Sequence, residues 1–212
     1  MKSIGKTFII GDSYSTFRGY IPPEYETYYG PKDDMSKGGI GVVEATWWHQ
    51  LISALGGVLL YNCSLSGSTV CNTGYGGEHC VDKSFVARIM DKADEFDSEE
   101  IDTAFIFGGT NDCWAGSPLG EAKYSDFAVE DLDKFAPAYS WLINYMQRTM
   151  PKARIIAVFN SDLPDYIINI MKDSCEHFGI EYLQLHDITK YNNHPTPVGM
   201  TEIKDQISEL FK

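Results

Sequence analysis

Gly11-Asp12-Ser13 closes a short apolar run that begins at Thr7, and two further hydroxyl residues, Ser15 and Thr16, stand close behind. A chain that leaves a strand through glycine and sets a carboxylate and a serine at the tip offers two chemistries. The serine hydroxyl can attack an electrophile, or the hydroxyl-rich loop can cradle an anion such as a nucleotide or flavin phosphate. Three more blocks bear on the choice: Ser66-Gly67-Ser68, Gly108-Gly109-Thr110-Asn111-Asp112 and His194-Pro195-Thr196. Together they hold a nucleophile, a general base, and two kinds of donor for an oxyanion, the Gly67 backbone N–H and the Asn111 amide. Taken singly, each residue has an ordinary use. Ser13 or Asn111 can cap a helix, Gly108 and Gly109 can form a turn, and His194 can sit in a surface loop. The set has chemical meaning only if the fold brings it to one place.

The elements around the blocks predict that it does. Near-continuous apolar runs suited to strands occupy residues 7–10, 56–62, 102–109, 153–160 and 180–187. Between and after them, amphipathic spacing predicts helices over 44–55, 82–96, 131–150, 165–178 and 197–211, the last with proline in its first turn. Strand–helix alternation repeated five times implies an α/β fold with a five-stranded parallel sheet covered on both faces. Three blocks then follow strand ends along one edge of the sheet, where open α/β sheets bind ligands, and His194 stands just before the last helix. With no repeat, low-complexity tract or linker, residues 1–212 read as one domain. Two long irregular stretches, 14–43 and 64–81, interrupt the alternation. The first carries Phe17, Tyr20, Tyr25, Tyr28 and Tyr29, and the second is mostly small or polar, so both are expected to wall a substrate site.

"GDSYS", "SGS", "GGTND" and "HPT", in that order and across nearly the whole chain, resemble the four blocks of the SGNH hydrolases, also called GDSL esterases. The resemblance implies a three-layer flavodoxin-like sandwich and hydrolysis of esters, mostly small acyl groups on carbohydrates or lipids. It makes Ser13 the nucleophile and His194 the base, with the N–H of Ser13, the N–H of Gly67 and the side-chain amide of Asn111 as the oxyanion hole. Tyr14, Phe17, His79 and Asp112 are the candidates for substrate contact. One feature departs from the family: the acid expected two or three residues before the histidine is missing from Tyr191-Asn192-Asn193-His194. The asparagine carbonyl of Asn192, or a backbone carbonyl, is the candidate orienter of the imidazole, with Asp187 as the substitute. A Ser–His dyad is therefore expected.

The formal net charge of −13 argues against nucleic acid or an anionic membrane as a partner, since both require clustered Lys and Arg. No apolar run approaches a membrane span, and the apolar segment before Gly11 is too short for a signal peptide, so the chain reads as cytoplasmic unless a leader has been trimmed. Five cysteines without a CxxC pair read as free thiols, and no metal site is assigned. The expected function is a serine esterase removing a small acyl group, acetyl foremost, from a carbohydrate or similar small ester, with no cofactor. The aromatic first loop suits a sugar ring. A catalytically weak or inert carbohydrate- or nucleotide-binding module on the same fold is the alternative. At least one of Trp47 and Trp48 is expected in the core, and Arg88 is expected to snorkel to the surface or hold an acidic loop.

Overall fold

The computed structural model describes residues 3–33 and 38–212. Residues 34–37, inside the first long irregular stretch, lie outside it. Five strands, β1 (Lys6–Gly11), β2 (Val58–Asn62), β3 (Thr103–Phe107), β4 (Arg154–Phe159) and β5 (Glu181–Gln184), form one sheet in the order β2-β1-β3-β4-β5. Every pairing is parallel. This is the flavodoxin-like order, and its chain reversal falls between β1 and β3, where a crevice opens beyond the strand ends.

Period-two alternation sends the strand residues to two separate cores. Phe8, Ile10, Ala104, Ile106 and Ala157 pack with helices α2 (Phe85–Asp91), α4 (Phe135–Thr149) and α5 (Asp165–Phe178). On the opposite face, Ile9, Phe105, Phe107, Ile156 and Val158 pack with α1 (Trp47–Leu55) and α6 (Pro197–Ser208). The result is three layers, helix–sheet–helix. Both Trp47 and Trp48 are in the second core, and their indoles donate to the hydroxyl and carbonyl of Ser15, bracing the loop that carries Ser13.

The expected elements are present with shifted ends. The first helix starts at Trp47 rather than 44 because Thr46 caps it, its hydroxyl accepting from the His49 N–H at 3.3 Å. The second starts at Phe85 rather than 82, capped by Ser84, and stops at Asp91 before a separate 3-10 turn, Ala93–Glu95. The fifth strand run ends early for a similar local reason: after Leu185 pairs once more with Phe159, the chain turns at Asp187 with φ 53°. Two short elements have no counterpart in the expected set. They are α3 (Thr110–Ala115) and an antiparallel hairpin of β6 (Lys190–Tyr191) and β7 (His194–Pro195). Among the described residues, no helix is long and apolar enough to cross a membrane.

Candidate active site

Each block reaches the sheet edge by a local device. Beyond β1 the chain makes a 3-10 turn, Ser13–Ser15, and the Asp12 carboxylate accepts from the Tyr14 N–H at 3.0 Å. A carboxylate of the chain itself thus holds a donor that a bound phosphate would need, which removes the main support for an anion cradle. Beyond β2, Gly67 is exposed at φ +76°, a conformation that suits glycine, and among the described residues its N–H has no protein acceptor. Beyond β3, Gly109 at φ +91° turns the chain into α3, with Asn111 in the first turn. A side chain at Gly108 would lie 2.5 Å from the Phe85 ring, so glycine permits this close approach. His194 arrives on the hairpin, whose turn residues Asn192 (φ 47°) and Asn193 (φ 63°) both adopt the left-handed conformation. Two-residue hairpin turns of the I′ type require positive φ at both positions, and asparagine tolerates it.

These devices place His194 Nε2 2.9 Å from Ser13 Oγ. Ser13 is buried, and the imidazole is half-buried. Nδ1 faces the backbone carbonyl of Asn192 at 3.0 Å. A carbonyl only accepts, so Nδ1 carries the proton and Nε2 presents its lone pair to the serine. The Tyr28 ring stacks on the imidazole with centroids 3.6 Å apart and planes 6° apart, and Tyr14 and Trp114 stand around its other sides. Burial among these rings lowers the His194 pKa below its ordinary 6.5. The Asn192 carbonyl opposes the shift and the Lys190 ammonium adds to it. Lys190 is itself fastened to Asn160, Ser161 and Asp162.

The opposite side of Ser13 is polar. Asn111 is buried; its Nδ2 donates to Asp12 Oδ2 at 3.4 Å and its Oδ1 accepts from the Tyr75 hydroxyl at 2.7 Å. Burial pushes the Asp12 carboxyl up to about 7, with Asp112 adding to the rise, while the Tyr14 N–H and Arg88 oppose it. Asp112 is pushed up to about 6 by burial, although the N–H groups of Val70 and Cys71 donate to it. A cleft of about 390 Å³ lies beyond Gly67 and Tyr75, which wall it together with Glu26 and Glu78.

Several expected roles need correction. Phe17 is 3% exposed and packed in the core against Tyr20, so its ring presents almost no surface to a substrate. Tyr14 is also buried; its hydroxyl donates to the Asn193 carbonyl, tying the Ser13 turn to the His194 hairpin. Asp112 spends its carboxylate on the loop after β2 and holds Val70 and Cys71 in place. His79 turns to Asp133 at 2.8 Å, and Asp187 turns to His186 at 3.1 Å from an almost fully exposed position. The group that faces His194 Nδ1 is the main-chain carbonyl of Asn192, which the tight turn aims back at the ring. Arg88 neither snorkels nor meets an acidic loop. It is fully buried, and donates to the Gly11 carbonyl at 3.1 Å and to the Ser68 hydroxyl at 3.4 Å, joining the first two blocks.

Three contributors escaped the sequence reading: the stacking role of Tyr28, Tyr75 on Asn111, and Trp114 beside His194. A signal existed for the hairpin, since Asn-Asn between strand-compatible pairs marks a tight turn. Tyr75, an aromatic among the glycines of Gly74-Tyr75-Gly76-Gly77, also marks a loop tip.

Residues 5–211 match the family described as GDSL-like Lipase/Acylhydrolase. A crystal structure described as a GDSL-like lipase from Bacteroides ovatus is 38% identical, with a TM-score of 0.88 and 98% of each chain covered. One from Bacteroides uniformis is also 38% identical at a TM-score of 0.88, covering 97% of this chain and 95% of its own. An acetyl xylan esterase from Butyrivibrio proteoclasticus shares the fold at 16% identity and a TM-score of 0.65, covering 100% of this chain and 64% of its own. No curated protein matches the sequence.

Proposed function

The chain belongs to the GDSL-like lipase/acylhydrolase family and is a hydrolase, and from that premise we propose that Ser13 and His194 form a dyad hydrolysing a small acyl ester of a carbohydrate or similar alcohol. The observation that carries this reading is the 2.9 Å contact between Ser13 Oγ and His194 Nε2. A serine hydroxyl is a poor nucleophile at neutral pH until a neutral base takes its proton. His194 is suited to that task because burial holds its pKa low, so it is neutral at pH 7.

In the acylation step, Ser13 Oγ attacks the ester carbonyl as His194 Nε2 accepts its proton. The negative charge gathers on the carbonyl oxygen, where the N–H groups of Ser13 and Gly67 and the Asn111 amide receive it. The imidazolium then protonates the departing alkoxide and leaves an acyl-serine. Water repeats the sequence from the other side: His194 takes a proton from it, the hydroxide attacks, and Ser13 regains its hydrogen. Among the described residues no carboxylate contacts the imidazole. The Asn192 carbonyl and the face of Tyr28 do so instead, through a hydrogen bond and a cation–π contact.

For the substrate, Tyr28, Tyr75 and Trp114 are each partly exposed around the dyad and offer ring faces to a sugar. The net charge of −13 repels an anionic lipid surface. The first test is hydrolysis of p-nitrophenyl acetate by the protein beside Ser13→Ala and His194→Ala, followed by acetate release from acetylated oligosaccharides. Loss of turnover in both variants supports the dyad, and unchanged turnover in Ser13→Ala would overturn it.

A further inference from the structure

We propose that Tyr75 is a positioning residue for the reaction, holding the Asn111 amide so that its nitrogen, not its oxygen, faces the oxyanion. The inference rests on Asn111 serving as an oxyanion donor. A carboxamide has two ends of nearly equal size, and packing alone does not choose between them. Only the nitrogen end stabilises a negative charge; the flipped amide would repel it. The choice must come from hydrogen bonds.

Asn111 has one at each end. Tyr75 donates to its oxygen at 2.7 Å, and its nitrogen donates to Asp12 at 3.4 Å. When Asp12 is ionised it can only accept, which requires the nitrogen on its side. The second hydrogen on that nitrogen remains for a substrate oxygen. Tyr75 stays a donor through the neutral range, because burial, Asp12 and Asp112 all raise its phenol pKa. Its hydrogen bond also draws electron density from the amide nitrogen, and this strengthens the remaining N–H as a donor.

The loop that carries Tyr75 is built to hold it there. Thr73 pairs with His79 in an antiparallel bridge, the Gly74 N–H donates to the Glu78 carbonyl at 2.8 Å, and the Cys80 N–H donates to the Asn72 carbonyl at 2.6 Å. Gly76 and Gly77 turn the tip with φ of 69° and 78°. The base of the loop is fastened to distant elements. The Thr73 hydroxyl donates to the Asp133 carbonyl, His79 meets the Asp133 carboxylate, and Ser117 donates to the Thr73 carbonyl. His79 is therefore a strut for this loop. Tyr75 and Gly67 wall the same cleft.

Tyr75→Phe keeps the ring and the loop and removes only the donor. It is expected to lower kcat for p-nitrophenyl acetate about tenfold, with KM within about twofold and the pH profile unmoved. The inhibition constant of an alkylboronic acid, which forms a tetrahedral adduct on serine, should rise in step with the loss in kcat. In an Asn111→Ala background the same change should cost nothing further. Full kcat in Tyr75→Phe, or an equal loss with and without Asn111, would overturn the proposal. Ser13→Ala is measured alongside. If that variant stays active the dyad itself fails, whereas an inactive Ser13→Ala with an unaffected Tyr75→Phe removes only the role of Tyr75.

Discussion

On the His194 side of Ser13 the walls are rings: Tyr28 stacked on the imidazole, with Tyr14 and Trp114 around it and, among the described residues, no carboxylate in contact. On the Gly67–Asn111 side they are amides and a phenol, backed by two buried carboxylates and a buried guanidinium. The difference follows the charge that each side is proposed to meet. An imidazole that must be neutral at rest is served by a partly desolvating, polarisable cage, which lowers its pKa and still offers ring faces once it becomes cationic. An oxyanion is served by fixed dipoles, and fixed dipoles need partners behind them. Asp12 and Tyr75 hold Asn111, Asp112 holds the loop after β2, and Arg88 joins Gly11 to Ser68.

The largest expected effect removes the atoms on which both sides converge. Ser13→Ala and His194→Ala should each lower kcat for p-nitrophenyl acetate by at least about 10³-fold. A smaller loss in His194→Ala would mean that the ring side is not the source of the base. Next comes the polar side alone: Asn111→Ala should cost about 10²–10³-fold in kcat while leaving KM nearly unchanged. A change confined to KM would recast Asn111 as a binding residue.

The ring side is tested more finely by a pair of variants. Tyr28→Phe preserves the stacked face and should leave kcat within about twofold, whereas Tyr28→Leu preserves only bulk and should lower it about threefold to tenfold. Equal values for the two would mean that bulk, not the ring face, is what matters. The pH dependence gives a further contrast. Neutral His194 is the active form, and burial lowers its pKa, so the acid limb of kcat/KM should have its midpoint below 6.5. A midpoint above that value would contradict the pKa-lowering effect of the ring cage.

The smallest effect concerns stability on the polar side. Asp12 and Asp112 have folded pKa values of about 7 and about 6, above the ordinary 3.8. Between those limits the folded protein binds more protons than the unfolded chain. Their contribution is therefore full at pH 3.8 and below, and is lost as pH rises through 6 and 7. His194, with its lowered pKa, works in the opposite sense around neutrality. Melting curves should show Asp12→Asn flattening the fall of Tm between pH 5 and 8 by a few degrees, on the order of 1 kcal/mol in effect. An unchanged slope would show that Asp12 does not titrate there.

The four blocks and the strands that deliver them were legible because both are local. A run such as Thr-Phe-Ile-Ile before Gly-Asp-Ser carries its burial pattern and its turn in adjacent residues, and a parallel sheet turns such runs into a shared edge. The helix starts, expected at 44 and 82 and found at Trp47 and Phe85, were also written locally, in the hydroxyls of Thr46 and Ser84 that each cap an amide three residues on. Candidate contacts chosen by proximity in sequence fared worse. Tyr14 and Asp112 stand next to Ser13 and Asn111, yet each points away to brace another segment.

The sequence by itself therefore determined the sheet, its order of blocks, and the residue types available at the edge. Tertiary structure decided which side chains serve them. Tyr28 meets His194 across 166 positions, Tyr75 meets Asn111 across 36, and Arg88 meets Gly11 across 77. No periodicity encodes such pairs, because they depend on how two loops and a helix settle against one sheet edge. The missing acid illustrates the same division. Its absence is visible in Asn192-Asn193-His194, but what stands against the ring is a backbone carbonyl and a tyrosine face. A main-chain carbonyl is present at every residue, so only the positive-φ turn that aims it could reveal the role.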